Sequence, residues 1–208
     1  MRTFKTLTLV AIAILGFTSC SNDEDTTPLL AVESEQVANL HAPQTGGQGQ
    51  PIGGEFTKFD FSTGITTTSD TEWDIAFRGT TIIVNGGTSQ GTNDEPVRNG
   101  EAAAYIATNT FEGLTTVDVN LLVQDSETSL AIPTGSDNGW YNYNPATFTI
   151  TPLAGKILVF RTRDNRYAKV EILSYYQDAP SNPDPFTDEG RYYTFNYVYQ
   201  PNENVTTF

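Results

Sequence analysis

The chain is poor in the residues on which most protein chemistry rests. Among 208 residues there is one cysteine, one histidine and one methionine. The lone Cys20 excludes an internal disulfide and any CxxC redox or zinc arrangement, and the lone His41 excludes a multi-histidine metal site. Basic residues are scarce: 11 Lys and Arg face 25 Asp and Glu, for a net charge of −14. A field of that sign repels phosphate backbones and anionic membrane surfaces, so nucleic acid is not an expected partner. Helical periodicity is missing as well, since no window carries apolar residues at helical spacing over three or more turns. What is present is 38% hydrophobic and 17% charged residues. That is too apolar for general disorder, and the length suits one all-β domain.

The N-terminus reads as an address. Arg2 and Lys5 form a basic region ahead of an apolar run from Leu7 to Phe17, which fits a secretory signal and falls short of the roughly 20 residues needed to span a bilayer. It ends in Phe17-Thr18-Ser19-Cys20, which resembles the lipobox of bacterial lipoproteins, cleaved just before an acylated cysteine. Residues 1–19 are then a signal peptide and Cys20 a lipid anchor, whose acyl chains provide stable membrane attachment at about 0.8 kcal/mol per buried CH₂. A free thiol in an ordinary signal peptide is the alternative. The following Ser21-Asn22-Asp23-Glu24-Asp25 resembles the acidic tag that sends some lipoproteins to the outer face of the outer membrane, and fits a plain solvated tether equally well. Residues 20–34 are expected to form this acidic tether, and 35–208 the folded domain.

Within the domain, residues 44–54 carry five glycines and a proline and read as loop. β-Branched and aromatic runs between turn signals predict eight strands: Glu55–Phe61, Glu72–Phe77, Thr80–Val84, Ala102–Ala107, Thr147–Thr151, Ile157–Arg163, Tyr167–Tyr176 and Tyr192–Gln200. Val32–Leu40 is the best helical candidate, short and mixed. Alternation puts Trp73, Ile75 and Phe77 on one face and Glu72, Asp74, Ala76 and Arg78 on the other, with Trp73 in the core. Asp164-Asn165 reads as a hairpin turn. Nine of the ten tyrosines lie between 141 and 199, where tyrosine suits a half-buried sheet with one wet end.

Catalytic groupings are thin. His41, close to the tether and just before the Gly-rich segment, is a poor platform for general-base geometry. Glu72 and Asp74 share a face and could act as paired carboxylates for glycosidic chemistry, or form a solvated edge with Asp74 paired to Arg78. The glycines of 46–54 match no phosphate-binding motif, and no DxDxDG calcium loop occurs. The acidic clusters Asp23–Asp25 and Asp184-Asp188-Glu189 read as solvated loops. No enzymatic activity is expected.

One stretch is more specific than a generic strand pattern. Trp73-Asp74-Ile75-Ala76-Phe77-Arg78, followed by Ile82-Ile83-Val84-Asn85-Gly86-Gly87-Thr88-Ser89, resembles the HmuY family of bacterial lipoproteins. Gly139-Trp140, Ile157–Thr162, Asp164–Val170, Ser174-Tyr175-Tyr176 and Tyr193–Tyr197 extend the resemblance over most of residues 55–200. It implies a single antiparallel β-sheet domain of HmuY type, lipid-anchored at the cell surface, which captures haem as a hemophore does and passes it to an outer-membrane receptor. Family members that bind haem hold it with two axial side chains, His/His or Met/Met. This chain departs from that pattern, because the region Val119–Asn138 has neither residue and the positions after Gly139-Trp140 read Tyr141-Asn142-Tyr143-Asn144-Pro145. The expected ligand pocket is therefore Trp140, Tyr141, Tyr143 and Asn144, with Tyr141 or Tyr143 as a tyrosinate ligand to haem iron. Two alternatives stay open: these aromatics merely pack a strand end, or the domain is an accessory interaction or ligand-binding module that has lost haem.

Overall fold

The β-branched and aromatic runs form strands, which are the main regular elements of the described residues. The computed structural model describes residues 28–47 and 49–208. The expected signal peptide, Cys20 and the first part of the expected tether lie outside the described residues. In chain order the strands are β1 (Glu33–His41), β2 (Thr45–Gly47), β3 (Gln50–Gly53), β4 (Thr57–Asp60), β5 (Ile65–Thr67), β6 (Ile75–Arg78) and β7 (Thr81–Val84). They continue with β8 (Ala103–Thr108), β9 (Tyr141–Asn144), β10 (Thr149–Pro152), β11 (Lys156–Arg161), β12 (Tyr167–Tyr176) and β13 (Gly190–Gln200). A 3-10 turn, Val119–Leu121, is the only helical element among the described residues, and no helix there is long and apolar enough to cross a membrane.

All ladders between these strands are antiparallel, so the protein is an all-β domain. A five-stranded sheet runs β1-β13-β12-β11-β8 and a four-stranded sheet β5-β4-β6-β7, while β9–β10 and β2–β3 form separate hairpins. The core lies between the two large sheets. Ile75, Phe77, Ile82 and Val84 face Leu158, Phe160, Ala168, Val170, Phe195 and Tyr197 across it. Aromatic rings interlock the layers: Phe77 lies 4.8 Å from Tyr193, and Phe59 sits edge-on to Phe195 at 5.6 Å and to Tyr197 at 5.8 Å. Such offset and edge contacts add about 0.5–1.5 kcal/mol each beyond area burial.

Both sheets are covered on their outer faces too. Ile157, Val159 and Tyr167 pack under Leu114 and Val117, and Ala76 and Ile83 pack with Phe56 and Trp73. This second cover explains why β11 reads Lys-Ile-Leu-Val-Phe-Arg, a continuous apolar run rather than an alternating one. It also buries Lys169, whose ammonium donates to the carbonyls of Phe111 at 2.5 Å and Leu114 at 2.8 Å.

The structure departs from expectation at several places. The segment read as the best helix is strand β1, paired along β13 from Glu33–Tyr199 to His41–Tyr192. Nine residues are too few for a stable isolated helix, whereas the open edge of β13 offers a ladder; a bulge between Val37 and Leu40, with Asn39 at φ 58°, keeps the register. The Gly-rich loop contains the β2–β3 hairpin. Strands β5 and β9 were unmarked by pattern. Finally, Trp73 is fully buried but on the face opposite Ile75 and Phe77, because the chain bends at Asp74 and regular strand begins only at Ile75.

That bend is held by charge. Asp74, with its side chain only 1% exposed, accepts from the backbone N–H of Phe61 at 2.9 Å and of Arg163 at 2.9 Å, and from the Arg163 guanidinium at 3.2 Å. The guanidinium also meets Asp60 at 3.1 Å and Glu72 at 2.8 Å. Arg163 projects from the β11–β12 turn, where Asn165 takes φ 63° as the predicted Asp164-Asn165 hairpin requires. The expected Asp74–Arg78 pair does not form. Arg78 instead donates to the carbonyls of Gly54 and Asn93 and to the Thr92 hydroxyl.

Burial pushes the Asp74 carboxyl up to about 6 despite the donors from Arg163 and Phe61. The folded chain thus holds this proton more tightly than the unfolded chain, where the ordinary value is 3.8. The Asp74 contribution to stability therefore declines as pH rises between those two values. Asp60 acts in a lower window: burial opposes its charge, but donors from Ser62 and Arg163 outweigh it and hold the carboxyl below its ordinary range. Its contribution is lost only as pH falls through that range. Replacing Arg163 by Ala is expected to lower the unfolding free energy by about 3–5 kcal/mol at pH 7.5, because it strands a buried carboxylate. The loss should shrink at pH 4.5, where Asp74 is protonated. Urea denaturation at both pH values checks this, and an equal loss at both would show that Arg163 does not serve the Asp74 charge.

Candidate functional site

The expected pocket residues run from just before β9 to its end, and the structure sorts them into two environments. Trp140 is buried, its indole N–H donating to the Thr80 carbonyl at 3.0 Å. Its ring packs against Tyr141 at 5.0 Å, Tyr193 at 5.1 Å and Tyr175 at 5.9 Å. The chain can enter this position only through Gly139, where a Cβ would lie 2.1 Å from the Pro133 carbonyl oxygen. Thr80 belongs to the β6–β7 turn, whose Gly79 carbonyl receives the Tyr193 hydroxyl at 2.9 Å. Both carbonyls of that turn are thus taken by aromatic donors, which fixes the base of the β9–β10 hairpin to the four-stranded sheet.

Tyr141 belongs to the same core cluster. Tyr143, two residues on, emerges to 38% exposure, opposite Ile150 in the ladder. Its backbone N–H donates to Ser136 Oγ at 2.8 Å, and Asn142 donates to Asp137 at 2.9 Å, so the preceding loop props the hairpin. Asn144 is exposed and accepts from the Ala146 N–H at 3.0 Å, a turn-forming role. The structure therefore joins Trp140 and Tyr141 in the core, and leaves Tyr143 as the accessible phenol. Tyr175 and Tyr193 belong to the same cluster, and burial pushes the Tyr175 hydroxyl up to about 12 and Tyr193 well above its ordinary value.

Other sequence candidates go elsewhere. His41 ends β1 and stacks on Tyr192 at 4.4 Å. Glu72 is 64% exposed and Asp74 buried, and both are held by Arg163, so they do not form a free carboxylate pair. Asp188 accepts from the Asp184 N–H at 2.8 Å within its own loop. No group of three or more His, Cys, Asp or Glu side chains suited to a metal occurs among the described residues. Two cavities stand away from Tyr143: one of about 320 Å³ beside Gly139, bounded by Tyr105, Val123, Pro133 and Lys156, and one of about 630 Å³ between Phe56, Lys58, Thr67 and Asp94.

Sequence reasoning missed two aromatic side chains near the hairpin. Phe148 closes the β9–β10 turn and Phe186 lies in the proline loop before β13; they are 55% and 80% exposed, with ring centroids 6.0 Å apart at 77°. A signal was there. Asn144-Pro145-Ala146-Thr147-Phe148 and Asn182-Pro183-Asp184-Pro185-Phe186 share the spacing Asn-Pro-x-x-Phe, a turn followed by a large apolar residue.

A similar fold occurs in a solved structure. The apo HmuY analogue of Tannerella forsythia has a similar fold, with a TM-score of 0.52 at 14% identity over 85% of this chain and 100% of that one. A candidate lipoprotein of Bacteroides fragilis aligns with a TM-score of 0.45 at 15% identity, over 82% of this chain and 90% of that one. A candidate HmuY-like haem-binding protein of Bacteroides vulgatus aligns at 0.42 and 13% identity, over 82% and 93%. No curated protein sequence matches the chain. The HmuY protein family matches residues 54–197, from the approach to β4 through most of β13. The chain belongs to the HmuY family, a family of binding proteins.

Proposed function

We propose that this protein is a non-enzymatic, lipid-anchored haem-binding protein of the outer-membrane surface, which receives haem and delivers it to an outer-membrane receptor. The observation that carries the reading is the position of Tyr143. It is an accessible phenol on a hairpin whose base is fixed by Trp140 and whose backbone is propped by Ser136. It also stands just after Gly139-Trp140, where the family resemblance places an axial ligand, and phenolate oxygen is an established ligand class for haem iron. Tyr141 supports the hairpin from inside rather than facing the ligand. Haem here is cargo.

Haemin titration tests the ligand. Wild-type protein is expected to shift the Soret band, Tyr143→Phe to lose the shift, and Tyr141→Phe to retain it. An unchanged free-haemin spectrum with wild-type protein would overturn the reading in favour of an accessory interaction module without haem.

The anchor rests on Thr18-Ser19-Cys20 after the apolar run. Cys20→Ala is expected to move the protein from the membrane fraction to the soluble fraction, and mass spectrometry of the wild type should find Cys20 acylated. A soluble wild-type protein with an unmodified thiol would overturn the anchor.

A further inference from the structure

The chain contains three Asn-Gly steps: Asn85-Gly86, Asn99-Gly100 and Asn138-Gly139. Such a step is chemically weak in water. Glycine has no Cβ to shield its backbone nitrogen, and its conformational freedom lets that nitrogen approach the side-chain amide carbon of the preceding asparagine. A fold suppresses the reaction by holding the asparagine amide and the glycine N–H in hydrogen bonds.

Two of the three steps are held in this way, and they guard each other. Asn85 is fully buried; its Nδ2 donates to the Trp73 carbonyl at 2.8 Å and to the Thr71 carbonyl at 3.3 Å. Its Oδ1 accepts from the Asn99 N–H at 2.8 Å and from the Gly100 N–H at 3.2 Å. The nitrogen that would attack Asn99 is therefore engaged, and the Asn99 amide is engaged too, donating to the Asp70 carbonyl at 2.9 Å.

The third step is free. Asn138 is exposed, and its Nδ2 reaches the Thr134 carbonyl only at 3.5 Å, too long to hold it. The Gly139 N–H has no acceptor among the described residues. Gly139 itself cannot be exchanged, because a Cβ there would lie 2.1 Å from the Pro133 carbonyl oxygen. The close fit that sets Trp140 in place thus leaves a reactive step immediately before it.

We propose that Asn138 is a self-modification site, converted to an acid by its own backbone, and that the conversion loosens the base of the β9–β10 hairpin. The Gly139 nitrogen forms a bond to Asn138 Cγ, the bond from Cγ to Nδ2 breaks, and ammonia leaves with the Gly139 amide proton. Water then opens the resulting succinimide at either carbonyl, giving aspartate or isoaspartate. Both products place a second negative charge beside Asp137, whose carboxylate holds Asn142 at 2.9 Å and 3.1 Å. Isoaspartate also lengthens the main chain by one methylene, which displaces Gly139 from Pro133 and strains the Trp140 hydrogen bond to Thr80. No enzyme, metal or ligand takes part, so the proposal is independent of the haem reading.

Ageing of the intact protein tests it. Folded wild-type protein kept in mildly alkaline buffer, then digested and mapped by mass spectrometry, should gain acid at Asn138 at least about tenfold faster than at Asn85 or Asn99, since those two react only after local opening. In urea the three sites should convert at comparable rates. Asn138→Ser should keep its urea midpoint through the same incubation, while the wild-type midpoint falls in step with conversion. Comparable rates at all three sites in the folded protein, faster conversion at Asn85 or Asn99, or an unconverted Asn138 in folded protein whose unfolded chain converts would overturn the site. A wild-type midpoint that stays constant as Asn138 converts would overturn the loosening.

Discussion

A single guanidinium, that of Arg163, gathers three carboxylates carried by β4 and by the approach to β6. It stands on the turn of the opposite sheet, so the two halves of the sandwich are registered at that end by charge while the rest of their contact is aromatic and aliphatic. Burial alone would disfavour Asp74. With the guanidinium and two backbone N–H groups around it, the carboxylate becomes the pivot about which the chain turns into β6. The turn sends Trp73 outward and Ile75 inward, which lets one short strand supply both the central core and the outer layer. A second buried group repeats the device at the end of β7. Asp125 accepts from the N–H groups of Val84 and Ala131 and pairs with Arg98, itself paired with Glu95. Two long connections are thereby folded onto the four-stranded sheet.

This scaffold divides the work of the site between stiffness and exposure. Trp140 and Tyr193 fill the β6–β7 turn with ring and hydrogen bond, so the base of the β9–β10 hairpin belongs to the core. Beyond Tyr141 the same hairpin emerges from the core, and its turn carries the exposed Phe148. A binding element built this way keeps its position when empty and loses little side-chain entropy on contact, since each ring has only two rotatable bonds.

Sequence pattern reads best where burial is two-sided and long-range partners agree with local preference. Tyr167–Tyr176 is found with its expected ends, and Ile157–Arg163 shifts by only one or two residues. It reads poorly where a partner decides. Glu33–His41 has no strand signature of its own and becomes β1 because β13 presents an open edge. The Trp73 face was misassigned because alternation was carried through Asp74, and nothing local announces that an arginine 89 residues away will bend the chain there. The candidate site was legible in position: Gly139-Trp140 does mark the hairpin. Its division was not, because Tyr141 and Tyr143 have the same parity and only the rise of the hairpin out of the core separates them. Phe148 and Phe186 showed only as a repeated Asn-Pro-x-x-Phe spacing, and their meeting depends on two loops 38 residues apart.

The chain enters the domain beside Asn202, just past the end of β13. The Leu30 N–H donates to Asn202 Oδ1 at 2.8 Å and Asn202 Nδ2 donates back to the Leu30 carbonyl at 2.8 Å, just outside the Glu33–Tyr199 end of the β1–β13 ladder. Any pull transmitted through the preceding residues would load β1 from that end and open its ladder one pair at a time, the weakest direction in which to stress antiparallel strands. The Asn202 side chain sits at the point where such peeling must begin. It acts as a mechanical stop, so that a load on the leading segment meets two parallel hydrogen bonds before it reaches the first rung of the sheet.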